Sequence, residues 1–142
     1  MLKKNFAKLM GVSINPFHPL VFINGQPKIG KNVCIGFFSE VNAKKVKVKI
    51  GDNCDIASFV AINAADSHKR TIGLSKEIDR KNIVLENNVF VGSHSFIGGG
   101  VNIGHHSVVA AGTIIAKPCK IPPFSLVIGN HFIVKKGYFK KK

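Results

Sequence analysis

The run from Leu85 to Gly129, written in sixes, is LENNVF VGSHSF IGGGVN IGHHSV VAAGTI IAKPCK IPPFSL VIG. An aliphatic residue heads every block: Leu85, Val91, Ile97, Ile103, Val109, Ile115, Ile121 and Val127. The second place is small at Gly92, Gly98, Gly104, Ala110 and Ala116. The fifth is small or β-branched: Val89, Ser95, Val101, Ser107, Thr113, Cys119 and Ser125. A helical face recurs near 3.6 residues and a half-buried strand at about 2, so a period of six fits neither. Short-period repeats with a fixed apolar anchor predict a parallel β-helix, each block being one short strand and a corner. Three blocks close a triangular coil, and residues one coil apart then stack at the inter-strand spacing of about 4.8 Å.

The same rhythm starts upstream, at Ile23, Ile29, Ile35 and Val41, with Gly30 and Gly36 in second places. It slips by three residues at Lys45-Val46-Lys47-Val48-Lys49-Ile50, whose alternation predicts a strand with lysines on its outer face. It resumes at Ile50, Ile56 and Ile62 and then stops. Residues 63–84, NAADSHKRTIGLSKEIDRKNIV, carry no anchors but hold both arginines and the acids Asp66, Glu77 and Asp79. A long excursion from a regular coil is a loop standing off the surface, and loops of that length without structure of their own are commonly functional. Residues 1–16 are expected to form an N-terminal cap, with Leu2, Phe6, Leu9 and Met10 on one helical face. That helix covers the open end of the coil or rests weakly on an anionic membrane surface. Residues 130–142 form a basic tail, in which Ile133 and Val134 are expected to make a last strand.

The chain has 142 residues, 45% of them hydrophobic, which suits one folded domain over 1–142 rather than a disordered chain. No apolar run reaches the length of a membrane span and no secretory leader is evident, so a cytoplasmic protein is expected. Three cysteines (Cys34, Cys54 and Cys119) without a CxxC pattern argue for reduced thiols, two of them in interior fifth places. The 21 Lys and Arg against 7 Asp and Glu give a net charge of +14, a field that favours polyanions. Nucleic acid is not expected as a partner, because no stacking platform or nucleic-acid motif accompanies the charge.

His68 stands at the root of the excursion, in Asn63-Ala64-Ala65-Asp66-Ser67-His68-Lys69-Arg70. An imidazole, with an ordinary pKa of about 6.5, can act as a general base near neutrality. Hexads, then INAADSHKR and a loop, then hexads and a tail opening Gly129-Asn130, resemble the hexapeptide-repeat acyltransferases. The galactoside, maltose and xenobiotic acetyltransferases and the sugar O-acetyltransferases of surface-polysaccharide pathways (lipopolysaccharide biosynthesis among them) are the nearest group. The resemblance covers roughly residues 23–138. It implies an all-β, single-stranded left-handed parallel β-helix, a homotrimer, and acetyl-CoA as cosubstrate with no metal. It also implies transfer of an acetyl group to a hydroxyl (or an amine) of a sugar-type acceptor, with 63–84 as the active-site loop.

By the same resemblance His68 is the base that deprotonates the acceptor, and Asn63 and Asp66 are substrate-side residues, Asp66 either orienting the imidazole or contacting the sugar. Phe90 stands where the family commonly has Trp, and Ser93 matches a position lining the cofactor. Ala111 and Gly112 match a segment whose backbone approaches the pantetheine arm, where small residues permit close contact. Ala116 and Lys117 match a pair whose lysine faces CoA phosphates, and Lys136 a basic tail position of similar role. The tail departs from the family's usual Gly-Asn-Pro-Ala-Lys-Val-Ile: here Gly129-Asn130 is followed by His131-Phe132-Ile133-Val134. Two other readings stay open: a carbonic-anhydrase-like trimeric metalloenzyme and a non-catalytic scaffold. The first needs three converging imidazoles, whereas His94 and His106 fall on different corners of a coil.

Overall fold

The computed structural model describes residues 1–11 and 14–141; Val12 and Ser13, inside the expected cap, and Lys142, at the end of the expected tail, lie outside the described residues. The chain winds into a left-handed parallel β-helix of about five coils with three flat faces. The first face stacks strands Phe22–Gly25, Glu40–Ala43, Ala61–Asn63, Phe96–Gly98 and Ile114–Ile115. The second stacks Lys28–Ile29, Val48–Ile50, Ile83–Leu85, Val101–Ile103 and Cys119–Ile121. The third stacks Cys34–Ile35, Asp55–Ile56, Phe90–Val91, Val108–Val109 and Leu126–Gly129.

The block-leading aliphatics form one inward column per face. On the first face Ile23, Val41, Ile62, Ile97 and Ile115 pair in register from coil to coil. From Val41 upward this column is sealed from solvent, while Ile23, on the end coil, is half-buried. Burying each such side chain contributes about 1.5–3 kcal/mol, so the repeat supplies its own driving force. The fifth-place residues turn inward beside the anchors, and their hydroxyls bond between coils. Ser95 Oγ donates to Ala110 O and accepts from Thr113 N, and Ser107 Oγ accepts from Ser125 N at 3.0 Å. Second places must be small because coils touch there: a Cβ on Gly92 would lie 2.4 Å from Ala111 N. Cys54 follows the interior rule, its thiol donating to Glu86 O at 3.1 Å, and burial pushes its pKa up.

The slip and the excursion occupy the same corner, between the first and second faces, on adjacent coils. The slip lengthens that corner on the second coil: Lys45 takes φ +58° in a turn closed by Val46 N to Ala43 O. Only Val48–Ile50 of the alternating run is strand, and Lys45, Lys47 and Lys49 are exposed as expected. On the coil above, strand Ala61–Asn63 ends the regular chain and Ile83–Leu85 resumes it, so the excursion is narrower than 63–84. Ile83 is a core residue at 0% exposure. The excursion also has structure of its own. Ala65–Asp66 pairs antiparallel with Asp79–Arg80, and a one-turn helix covers His68–Thr71. Arg80 Nε donates to Lys44 O at 3.1 Å, so the lengthened corner below is a shelf on which the excursion rests.

At the top, Phe132–Lys135 folds back antiparallel on Leu126–Gly129, pairing an edge that would otherwise be open. At the other end, helix Leu2–Met10 buries Ala7 and leaves Leu2, Leu9 and Met10 exposed. Among the described residues no helix is long and apolar enough to cross a membrane.

Candidate active site

The excursion roofs a cleft of about 580 Å³ against the first face and its corner. Its walls include Asn63, Asp66, His68, Lys81, Phe96 and Gly99, closed by Ala116 and Pro118 of the top coil. The neck holds the geometry: Lys81 N donates to Ala64 O at 3.1 Å, and Lys47 N and Gly100 N bond Asn82 from the coils on either side. Asn63 ends its strand with Oδ1 accepting from Ala65 N and from Asn42 Nδ2, which sets the turn into the excursion.

Asp66 and His68 are a pair. The Asp66 Oδ1 atom accepts from the His68 backbone N–H at 3.0 Å and lies 2.6 Å from His68 Nδ1. One carboxylate oxygen thus holds both the start of the helix and the ring. With Nδ1–H donated to Asp66, Nε2 is the nitrogen left to accept a proton. Hydrogen bonding from the His68 backbone N–H, and then from its imidazole, holds the Asp66 carboxyl below its ordinary value of 3.8. Because the folded value is depressed, the contribution of Asp66 to loop order is complete above about pH 3.8 and is lost as pH falls through the lower folded value. An NMR titration of the Asp66 carboxyl carbon should therefore show a midpoint below 3.8, and Asp66 titrating at or above it would mean the pair is not formed. Beside it, Lys69 Nζ bonds Asp79 Oδ2 at 2.9 Å, tying the helix to the return strand.

The expected residues divide by location. Asn63, Asp66, His68 and Ala116 line one cleft, and Lys117 is exposed immediately after Ala116. Ser93, Ala111 and Gly112 lie at the corner between the third and first faces, with Gly112 N donating to Ser93 O at 2.8 Å. There Gly112 has φ +70°, and a Cβ on it would meet nothing within 4 Å. Phe90 projects from the third face into an apolar hollow with Val108, Phe124 and Phe139. Lys136 borders another hollow, with His105, Pro122 and Pro123. Neither touches the His68 cleft within one chain. Lys81, Phe96 and Asp79 were not expected from the sequence: Phe96 is a half-buried strand residue, and the pairing that brings Asp79 and Lys81 across is only two residues long.

His94, His105 and His106 are corner residues. His94 stacks on Phe59 with centroids 4.8 Å apart, and His106 on Phe124 at 5.1 Å, at different corners. Among the described residues no three His, Cys, Asp or Glu side chains come together in a group that could hold a metal ion.

Residues 82–117 match the family model of the hexapeptide repeat of succinyl-transferase. Over those residues the chain carries the hexapeptide repeat, and its relatives include an acetyltransferase. It is 38% identical to galactoside O-acetyltransferase of Escherichia coli, over 70% of this chain and 51% of that protein. It is 32% identical to bifunctional protein GlmU of Streptococcus uberis, over 92% of this chain and 28% of that protein. The chain thus spans between about a quarter and a half of these relatives' lengths. The crystal structure of AntD, an N-acyltransferase from Bacillus cereus, in complex with dTDP and 3-hydroxybutyryl-CoA, superposes with a TM-score of 0.72. It is 21% identical, over 82% of this chain and 65% of that one, and it shares the fold.

Proposed function

We propose that the chain transfers an acetyl group from acetyl-CoA to a hydroxyl of a sugar-type acceptor, with His68 as general base. The observation that carries this reading is the Asp66–His68 pair, 2.6 Å apart, in a cleft at the one long interruption of the repeat. A hydroxyl is a poor nucleophile until a base takes its proton. His68 Nε2 receives that proton, and Asp66 holds the ring in the tautomer that can accept it and stabilises the imidazolium that forms. Acetyl-CoA, when bound, supplies an acyl thioester, which the acceptor oxygen attacks as the thiolate leaves. The residues present suit the donor. Ala111 and the open Gly112 are small and exposed, as close approach of a narrow chain requires, and Lys117 offers a cation for phosphate. Kinship with a galactoside O-acetyltransferase supports a sugar hydroxyl, and AntD, whose fold is shared, is itself an N-acyltransferase bound to an acyl-CoA.

A homotrimer is part of the proposal. Phe90 and Ser93 stand apart from His68 within one chain, so a site built from all the expected residues draws some of them from a neighbouring copy. Exposed rings at one corner, Phe37, Phe38 and Phe59, give apolar surface for such a contact.

The direct test is thiol release from acetyl-CoA over a panel of sugars, nucleotide sugars and small alcohols. Acceptor-dependent release is expected, and background hydrolysis alone would contradict the reading. Asp66 acts through the imidazole as a positioning residue. Asp66→Asn should lower kcat by at least about 10-fold with KM for acetyl-CoA little changed, because an amide permits the wrong tautomer. A change in KM for the acceptor with kcat intact would instead place Asp66 on the sugar.

A further inference from the structure

Two lysines line the cleft beside the acid–base pair, Lys69 and Lys81, and among the described residues only Lys81 is without a carboxylate partner. Lys81 sits at the neck, and its stem lies along a glycine corner: a Cβ on Gly99 would come 3.3 Å from Lys81 Cβ, and one on Gly100 3.3 Å from Lys81 Cδ. The stem of Lys81 therefore packs closely against this corner on the cleft wall. The other charges there already have partners: Asp66 is bonded to His68, and Asp79 to Lys69 at 2.9 Å. The adjacent Arg80 directs its guanidinium to the Lys44 and Ile78 carbonyls. Lys81 lines the cleft with His68; among the described residues it is in no salt bridge, its charge reaching Asp79 only at longer range and helping to hold that carboxyl low.

We infer that Lys81 makes the cleft selective for an acceptor bearing an anionic group, a phosphate or carboxylate on the sugar, held by the ammonium while a hydroxyl faces His68. This rests on the acetyl-transfer reading and names its substrate class. Acetyl-CoA also carries phosphates, so the same chemistry has two sources. Position favours the acceptor, because the reacting hydroxyl must enter the cleft that Lys81 and His68 both line. The remaining field, +14 over the chain, draws the same class of ligand toward the surface.

The test compares methyl galactoside, its 6-phosphate and methyl galacturonoside as acceptors for the wild-type chain, Lys81→Gln and Lys81→Arg. A charge-assisted bond at a solvent-open site predicts KM for the anionic acceptors about 10-fold below that of the neutral glycoside. Added salt should narrow the difference. Lys81→Gln should raise the anionic KM values to the neutral level, and Lys81→Arg should keep most of the preference. Several results overturn the inference. Equal KM values in the wild type, or a preference that survives Lys81→Gln, would do so while leaving acetyl transfer standing. A rise in KM for acetyl-CoA alone would assign Lys81 to the donor's phosphates. Absence of thiol release with every acceptor would remove the acetyl-transfer reading and this one with it.

Discussion

His68→Ala is expected to lower acceptor-dependent thiol release by at least about 10²-fold, the scale on which a positioned general base contributes. The loss should appear in kcat. The imidazole is needed when the acceptor proton leaves and has no part in holding the coil: its side chain is 60% exposed and bonds Asp66. Melting temperature and oligomeric state should therefore match the wild type, separating lost chemistry from lost fold. A folded His68→Ala protein with near-normal turnover would remove the base from the mechanism, whereas a wild type without turnover would leave the scaffold reading.

Ile97→Ala should have the largest effect on stability. Ile97 is 0% exposed, in the middle of the first-face column between Ile62 and Ile115. Coils above and below are already in backbone contact, so they cannot close over the cavity. Such truncations cost about 2–5 kcal/mol. For a chain of this length a loss of about 3 kcal/mol corresponds to a fall of roughly 6–12 °C in Tm. The same strand carries Phe96 and Gly98 on its cleft side, so turnover at a permissive temperature should fall as well. Thermal denaturation followed by circular dichroism checks it, with Lys120→Ala, on an exposed second-face position, as a control expected to stay close to wild type. An Ile97→Ala Tm within about a degree of wild type would mean that the columns do not carry the fold.

The coil was legible because its physics is periodic. An inward anchor every six residues leaves a strong trace, and Ile97, Ile103 and Val109 land on successive faces as spaced. The slip at Lys45–Ile50 was visible as a break in rhythm, but its purpose was not. That it lengthens one corner into a shelf for Arg80 depends on which coil lies beneath which, a relation between residues 36 apart. The excursion was found as an absence of anchors, and His68 by its place at the root of it. Its internal order leaves no such trace: two-residue strands and a one-turn helix are too short for periodicity, so nothing in the spacing sets Asp79 and Lys81 beside His68. Asp66 was recognised with two roles open, and the 2.6 Å approach to Nδ1 favours the orienting one. Within one chain Phe90 and Lys136 lie on hollows apart from the cleft, and how copies of the chain would meet leaves no periodic trace in the sequence.

If this cleft moves an acetyl group from a thioester to an acceptor hydroxyl through His68, a label on that acetyl group must follow it to the acceptor. The most direct measurement is transfer of isotopically labelled acetyl from acetyl-CoA, following label on the acceptor by mass spectrometry for the wild type and His68→Ala side by side. A labelled O-acetyl product is expected with the wild type, formed in step with free thiol, and at least about 10²-fold less with His68→Ala. Thiol release without labelled acceptor, or equal labelling by both proteins, would contradict it.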